Sequence, residues 1–360
     1  MARRVFLHIG APKSGTSYLQ DRLARNRDSL ETQGLRYPEL PAGDHFQAAL
    51  DLIERPWAGE LERARGQWQA LSDVARKSDQ DVVISHEILA AAEPAQVARA
   101  VGSLGEAEVH VVLTARDLAR QLPAEWQEMV KHRRSMRFER FAREVVEAPR
   151  TASELWFWRV QSIPDVLTRW ATGLTPDQVH VVTVPPAGAP ADTLWNRFGS
   201  VLGLDPASPY LPSELANASL GIAEISALRR LNRRLRQAGV SRETYVHYVR
   251  ELVVREVYGT SQDVDNPVLP ARYRPFVDEV TDEWLEWIVG SGVHVVGDLD
   301  DLRPRWPDSD VDLADPDQPQ PTRVAQAALD ALAAVLIEID NPRSEGRGAR
   351  RIAQRLLGHE

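Results

Sequence analysis

Two glycines bracket a short segment near the start of the chain, GAPKSGTS, residues 10–17. The apolar run VFLHI precedes it, and a helical pattern begins at Thr16. A glycine-rich turn between a strand and a helix presents backbone N–H groups and the positive end of the helix dipole at one point, which stabilises a bound phosphate. Gly10 and Gly15 allow the dihedral angles and the close approach that such a turn needs. Lys13 adds a cation, so the segment predicts a site for a phosphate-like anion.

The position of the lysine distinguishes this loop from a Walker A loop. In the Walker A pattern the lysine directly follows the second glycine and adjoins a Ser or Thr that binds Mg²⁺. Here Thr16 follows Gly15, Ser17 comes next, and Lys13 lies inside the loop. The next two strand-like segments end in Ser-His-Glu and Arg-Asp, so neither shows the usual Walker B aspartate. We therefore expect a shorter anion that is bound without a metal ion.

The stretch PKSGTSYL, residues 12–19, resembles the 5'-phosphosulfate loop of sulfotransferases that use 3'-phosphoadenosine-5'-phosphosulfate (PAPS), whose pattern is Pro-Lys-Ser/Thr-Gly-Thr-Thr/Ser. The resemblance continues through RLARNRDSLETQGLRYP and a later Ser-x-Glu at a strand end, which look like a bacterial branch of that family. It implies that Lys13 stabilises the charge on the leaving oxygen as the sulfuryl group departs. It also implies that the phosphosulfate is bound by Pro12, Lys13, Ser14, Gly15, Thr16 and Ser17.

The 3'-phosphate of PAPS needs a second cation, which the family supplies as an arginine directly after a strand, followed eight residues later by a serine. Arg116 directly follows the strand-like run VHVVLTA and matches that arginine. Its planar guanidinium suits the task because it binds phosphate oxygens in pairs. Ala124 stands where the serine is expected and has no hydroxyl. A backbone N–H group, Gln121 or a residue of the C-terminal helices would have to complete the contact.

Sulfuryl transfer also needs a general base within hydrogen-bond reach of the acceptor's proton. The family places a histidine or a glutamate either at the strand end before the 3'-phosphate strand or after the first helix. Both places hold candidates: His86 and Glu87 follow the run DVVIS, and His45 follows the first helix, near Glu39 and Asp44. The similarity to the bacterial branch favours His45 and Glu87, with His86 close behind. The choice among the three stays open.

Four short apolar segments rich in β-branched residues predict the strands that position these residues. They are RVFLHIG at 4–10, DVVISH at 81–86, VHVVLTA at 109–115 and QVHVVTV at 178–184. Near-continuous apolar runs are typical of strands covered on both faces, and helical patterns between them indicate a parallel, right-handed α/β sheet. We expect a three-layer P-loop NTPase-like α/β fold with a central parallel sheet and a mainly helical C-terminal half.

Residues 1–300 are expected to form a single sulfotransferase-like domain, with its core at 1–205 and a helical part at 206–300. The Pro- and Asp-rich stretch 301–321 is typical of a linker. Residues 322–360 predict an amphipathic helix followed by a frayed tail. Within the helical part, LRRLNRRLRQAG carries a dense arginine face, which we interpret as a solvated helix surface.

Composition narrows the classes of partner and compartment. The 360 residues include 52 acidic and 43 basic side chains, so a net charge of −9 gives no overall attraction to nucleic acid or anionic lipid. With no cysteine, disulfides and thiolate chemistry are excluded. No run approaches the roughly 18 apolar residues of a membrane span. We expect a cytoplasmic protein with no membrane span and no nucleic-acid partner; the oligomeric state is not indicated.

Taken together, the loop and the resemblance predict metal-independent transfer of a sulfuryl group from PAPS to a hydroxyl or amine of a small-molecule, lipid or carbohydrate acceptor. Two alternatives stay open. One is a nucleotide kinase or NTPase with a degenerate loop, which would bind ATP with magnesium. The other is a protein that binds PAPS or its product adenosine 3',5'-bisphosphate (PAP) without catalysis, for which Ala124 is the motivating observation.

Two further groups of residues belong to this hypothesis. Asn217 and Ser219 in ANASLG could close over the nucleotide, although a helix-entry turn explains them almost as well. Segments 37–60 and 130–160 would line the acceptor pocket, and their aromatic side chains are equally suited to a core. These aromatic residues are Trp57, Phe138, Trp156, Phe157 and Trp158.

Overall fold

The structure is a computed structural model that describes residues 4–40, 43–55, 60–215, 219–260, 265–306 and 315–340. Six strands in these ranges form one sheet: β1 Arg4–Gly10, β2 Leu35–Arg36, β3 Asp81–Ser85, β4 Glu108–Ala115, β5 Val179–Thr183 and β6 His294–Val296. Their order across the sheet is β2-β3-β1-β4-β5-β6, and every neighbouring pair is parallel. The predicted fold class, α/β with a central parallel sheet, is confirmed.

Strand β1 lies between β3 and β4 near the middle of the sheet and is buried on both faces. Val5, Leu7 and Ile9 are fully buried, and Val5 pairs with Val82 of β3 and Val109 of β4. Burial of both faces explains why the strand reads as a continuous apolar run rather than an alternating one. The Gly-rich loop therefore starts from one of the most firmly held strands of the protein.

The four predicted strands match β1, β3, β4 and β5 to within one residue at each end. The prediction missed β2 and β6, which form the two edges of the sheet. These strands have two and three residues. Segments this short show no recognisable pattern of apolar and polar residues. They are strands because they pair with β3 and β5.

Helices follow and connect the strands. In chain order the α-helices are α1 Thr16–Arg25, α2 Arg27–Thr32, α3 His45–Ile53, α4 Leu61–Ala64, α5 Gln67–Lys77, α6 Pro94–Gly102, α7 Leu118–Lys131, α8 Phe138–Glu147, α9 Trp156–Gln161, α10 Ile163–Trp170, α11 Thr193–Leu202, α12 Ile222–Gln237, α13 Arg242–Thr244, α14 Arg274–Ser291 and α15 Pro321–Asp340. A π-helix, Tyr245–Val257, directly follows α13. No helix among the described residues is long and apolar enough to cross a membrane.

The chain divides into two structural units, each made of three separate segments. Unit one comprises Met1–Gln121, Glu147–Leu215 and Pro275–Arg305. Unit two comprises Leu122–Val146, Ala216–Arg274 and Trp306–Glu360. Unit one contains all six strands, and unit two is helical.

In unit one, helix α1 is held against the sheet by its apolar face. Leu19 and Leu23 are fully buried and belong to one core cluster with Phe6 of β1, Val112 of β4 and Phe198 of α11. A fully buried leucine contributes about 1.5–3 kcal/mol relative to an exposed one. This packing fixes the N-terminal end of α1 directly after the Gly-rich loop.

In unit two, α15 packs on α12 and on the π-helix. Its buried positions are mainly small ones, including Ala327, Ala331 and Ala334. Helix α15 begins at Pro321, after the Pro- and Asp-rich stretch, and residues 341–360 lie outside the described part of the chain. Of the predicted linker, 307–314 also lies outside it.

Candidate active site

The Gly-rich loop connects the end of β1 to the start of α1 and is tied to the neighbouring strand. The Ala11 N–H donates to the Thr114 carbonyl oxygen of β4 at 2.8 Å. Positive φ angles at Gly10 (101°), Lys13 (63°) and Gly15 (87°) turn the backbone around this anchor. Lys13 adopts this conformation as a non-glycine residue, which is uncommon and costs conformational energy. Gly10 and Gly15, at the two ends of the loop, adopt φ angles that favour glycine.

Both loop glycines also lie against other parts of unit one. A Cβ atom on Gly10 would stand 2.9 Å from the Cα atom of Glu87, and one on Gly15 would stand 2.4 Å from Leu194 Cδ2. Real Cβ atoms do not approach other atoms this closely. Gly10 therefore places the loop directly beside the backbone of a candidate base.

The first turn of α1 leaves its amides available to a ligand. The first amide that bonds back along the chain is that of Leu19, which donates to the Gly15 carbonyl oxygen at 3.1 Å. The amides of Thr16, Ser17 and Tyr18 have no hydrogen-bond partner in the part of the chain that the structure describes. Together with the helix dipole they form a site for an anion.

Ser14 differs from its neighbours because its side chain points into the protein. It is fully buried, and its hydroxyl bonds to the Ala11 carbonyl oxygen and to the Thr114 hydroxyl. The Ser14 hydroxyl is thus used to hold the loop in shape. The predicted phosphosulfate contact of this residue would have to come from its backbone.

The carbonyl oxygen of Pro12 is held by two glutamine side chains that the sequence did not assign to the loop. Gln121 and Gln161 both donate to this oxygen through Nε2, the latter at 2.9 Å. Gln121 Nε2 also lies 2.9 Å from Gln161 Oε1. The Gln121 amide is therefore committed to supporting the loop and is not a free replacement for the missing serine at Ala124.

A polar network crosses the sheet below the loop. His8 of β1 bonds through Nδ1 to the Ser85 hydroxyl of β3 at 2.7 Å and through Nε2 to the Thr114 hydroxyl of β4 at 3.3 Å. His8 is fully buried, and burial lowers its pKa to about 3, so the ring is neutral at pH 7. In the sequence, this network is indicated by His8, a histidine within the otherwise apolar run VFLHI.

Arg116 lies at the loop. Its Nη1 donates to the Lys13 carbonyl oxygen at 3.1 Å. Burial, with a further contribution from Arg120, lowers the Arg116 pKa to about 10, so the guanidinium stays charged at pH 7. Asp117 is bonded to Arg120 and accepts from the Arg120 amide at 2.9 Å, which caps the start of α7.

Glu87 faces the loop as an ionised carboxylate. Its Oε2 accepts from Gln20 Nε2 at 3.1 Å, and its side chain is 24% exposed. Burial alone would raise the Glu87 pKa, but the electrostatic effect of the adjacent His86 ring, hydrogen bonds from the Glu87 amide and from Gln20, and the charge of Lys13 together lower it. The effect of Lys13 on this pKa brings the predicted cation and a predicted base into one electrostatic site.

His86 stands at the same strand end with one ring nitrogen already engaged. Its Nδ1 accepts from the Ile88 amide at 3.3 Å and lies 4.0 Å from Glu87 Oε2. An accepting Nδ1 assigns the proton of the neutral ring to Nε2. The ring contacts that of Phe46, with centroids 5.2 Å apart.

His45 is bonded at both ring nitrogens. Nε2 donates to the Pro38 carbonyl oxygen at 2.9 Å, and Nδ1 accepts from the Ser85 amide at 3.1 Å. Burial lowers the His45 pKa to about 4. The neutral ring therefore joins the segment after the first helices to the end of β3 and has no lone pair left for a proton.

The remaining predicted residues contribute less to this site. Phe138, Phe157 and Trp158 are buried, as expected of core aromatics. Trp156 is partly exposed, with the Arg55 guanidinium 4.3 Å from its ring centroid. In unit two, the Ser219 hydroxyl lies 3.3 Å from Gln127 Nε2. Trp57 and Asn217 lie outside the described residues.

No protein-family model matches the chain, and no curated protein sequence matches it. Among solved structures, the chain is similar to the crystal structure of a sulfotransferase from Alicyclobacillus acidocaldarius. The two share 16% sequence identity and a TM-score of 0.41, over 68% of this chain and 99% of the other. A likeness at this level leaves the function to be argued from the residues of the site.

Proposed function

We propose that the protein is a sulfotransferase that moves a sulfuryl group from PAPS to the hydroxyl or amine of a small-molecule, lipid or carbohydrate acceptor. The observation that carries this proposal is the Gly-rich loop. It combines first-turn amides that have no hydrogen-bond partner among the described residues with a lysine whose charge acts on a carboxylate at the adjacent strand end. One short region of unit one thereby supplies amides that bind the phosphosulfate, a lysine that stabilises its charge and a carboxylate that can act as the base.

The backbone geometry and the charges of the loop support the proposed phosphosulfate site. Gly10 and Gly15 let the ends of the loop lie directly against Glu87 and Leu194, where a Cβ atom would collide with these residues. Thr16 and Ser17 follow with amides and hydroxyls at the helix start. Arg116, fixed to the loop by its bond to the Lys13 carbonyl oxygen, keeps further N–H donors for the 3'-phosphate.

In the proposed reaction an oxygen or nitrogen of the acceptor forms a bond to sulfur while the bond from sulfur to the bridging oxygen of PAPS breaks. The acceptor's proton passes to the base, and PAP leaves with the negative charge of the bridging oxygen. Lys13 and the first-turn amides stabilise that charge. Loss of one such preorganised contact typically lowers kcat by about 10²- to 10³-fold.

Among the three candidate bases we assign proton transfer to Glu87. His45 has both nitrogens bonded, and the accepting Nδ1 of His86 leaves the proton on Nε2. The Glu87 carboxylate is ionised, partly exposed and bonded by Gln20, and a carboxylate retains lone pairs beyond one such bond. His45 then acts by positioning the end of β3.

A transfer assay with sulfur-labelled PAPS and a panel of alcohols, amines, lipids and saccharides tests the proposal. We expect labelled product and an equal amount of PAP from the parent protein in buffer containing a metal chelator. Lys13→Ala should lose activity, whereas Lys77→Ala removes the same charge from the exposed end of α5 and should retain it. PAP binding without turnover on any acceptor would favour the non-catalytic alternative, and a requirement for ATP with magnesium would favour the kinase alternative.

A further inference from the structure

Among the residues that the structure describes, four arginines and a single carboxylate line a cleft in unit two. The cleft has a volume of about 280 Å³, and its charged lining consists of Arg137, Arg229, Arg230, Arg233 and Asp317. Four guanidinium groups and one carboxylate give the lining a formal charge of +3, in a chain whose net charge is −9. The cleft is therefore a local exception to the charge of the whole protein.

Helix α12 supplies most of this charge from one face. Ser226, Arg229, Arg230 and Arg233 are spaced three or four residues apart or adjacent, so they project from the same side of the helix. These residues belong to the arginine-rich segment that the sequence indicated as a solvated surface. In the structure, part of that surface is concave and is closed by residues from elsewhere in the chain.

Asp317 closes the cleft but is already engaged in other bonds. Its Oδ1 accepts from Arg229 Nη1 at 3.1 Å and from the Phe138 amide at 3.2 Å. Its Oδ2 accepts from the Glu139 amide at 2.8 Å. The single carboxylate thus fixes one arginine and the start of α8, and it does not neutralise the rest of the cluster.

Arg229 is the largely buried arginine of this cluster. Its side chain is only 13% exposed, and its Nε has no hydrogen-bond partner in the described part of the chain. Burial lowers the Arg229 pKa, and so do the charges of Arg137, Arg230 and Arg233, against the opposing effect of Asp317. A bound anion would relieve the repulsion among the guanidinium groups.

The other three arginines are available to such an anion. Arg137, Arg230 and Arg233 are exposed, and none forms an ion pair with any residue that the structure describes. Guanidinium groups bind the oxygens of phosphate and sulfate in pairs. Ser135 and Ser226 add hydroxyls to the lining.

We propose that this cleft binds a small molecule through a phosphate or sulfate group. Its volume of about 280 Å³ lies just below the roughly 300–1,000 Å³ that ligand pockets span, which suits a compact anion rather than a long chain. The cleft shares no residue with the Gly-rich loop, Arg116 or Glu87. The proposal therefore stands whether or not the protein is a sulfotransferase.

Calorimetric titration of the full chain with sodium pyrophosphate, and separately with sodium sulfate, tests the proposal at constant ionic strength set with sodium chloride. The cleft variant is Arg230→Gln with Arg233→Gln. The control variant, Arg143→Gln with Arg234→Gln, removes two exposed arginines of α8 and α12 that lie outside the cleft. Circular dichroism checks that both variants keep the parent's helical content.

We expect saturable binding of at least one anion to the parent and to the control. The cleft variant should lose about 10- to 100-fold in affinity, since hydrogen bonds to charged groups are involved. Saturable binding of either anion that the cleft variant loses supports a site for a phosphate or sulfate group.

Lys13→Ala serves as a second control because the Gly-rich loop is itself an expected anion site. Binding that survives Lys13→Ala and is lost in the cleft variant supports the proposal. Absence of saturable binding, equal loss in the cleft and control variants, or loss in Lys13→Ala alone would overturn it.

Discussion

Replacement of Gly10 by alanine should destabilise the protein and disturb the candidate base, and Gly34 provides a matched control. Both glycines have positive φ angles, 101° and 78°. A Cβ atom on Gly10 would meet the Glu87 backbone at 2.9 Å, whereas one on Gly34 would meet nothing within 4 Å. The two substitutions therefore share the conformational cost and differ in the steric one.

The left-handed conformation costs a non-glycine residue about 1–2 kcal/mol, and overpacking a tight contact costs about 1–3 kcal/mol more. We expect Gly34→Ala to lose about 1–2 kcal/mol of unfolding free energy and Gly10→Ala to lose about 2–5 kcal/mol. Urea denaturation followed by circular dichroism gives both values. If Gly10→Ala is no more destabilising than Gly34→Ala, the loop does not lie against Glu87 as described.

Three further predictions concern the charges of the site. Glu87→Gln should lower kcat by about 10²- to 10⁴-fold and leave PAP affinity unchanged. The control Glu106→Gln, at an exposed glutamate, should leave kcat unchanged. Equal kcat values in the two variants would reject Glu87 as the base. Arg116→Ala should weaken PAP binding by about 10- to 100-fold and leave the binding of AMP, which lacks the 3'-phosphate, within about twofold; an equal loss for both nucleotides would contradict a 3'-phosphate contact. The free energy of unfolding should fall as the pH drops from 6.5 towards 4. His8 and His45 have pKa values of about 3 and about 4 in the folded protein but bind protons near pH 6.5 when unfolded, so acid favours the unfolded state. Urea midpoints that stay level across this range would contradict their burial as neutral rings.

The strands and the loop were predictable from sequence because their signals are local. A buried parallel strand is a continuous apolar run, and the glycines of GAPKSGTS mark positions where backbone geometry excludes other residues. The predicted loop, Arg116, His86 and Glu87 all lie in unit one. Arg116 donates to the Lys13 carbonyl oxygen, and the charge of Lys13 lowers the pKa of Glu87.

The supporting residues were not predictable because their contacts are distant in sequence. The Pro12 carbonyl oxygen is held by Gln121 and Gln161, more than 100 residues away. His8 finds Ser85 and Thr114 only after three strands pair. Sequence spacing along one element cannot show which polar side chains meet across a sheet.

The arginine face of α12 shows the same limit. Its helical spacing is legible in LRRLNRRLRQAG, and a solvated surface is the simplest interpretation of such a pattern. Asp317, which makes part of that face the wall of a cleft, lies 88 residues beyond Arg229. Whether a helix face lines a cleft depends on the elements that pack beside it, and the sequence of the helix alone does not show them.

Calorimetric titration of the full chain with PAP in chelator-containing buffer tests the central claim most directly. The account predicts binding of PAP without a metal ion, strong weakening by Lys13→Ala and no change with Lys77→Ala. Absence of PAP binding under these conditions, or an affinity that Lys13→Ala leaves unchanged, would contradict the assignment of GAPKSGTS as a phosphosulfate loop.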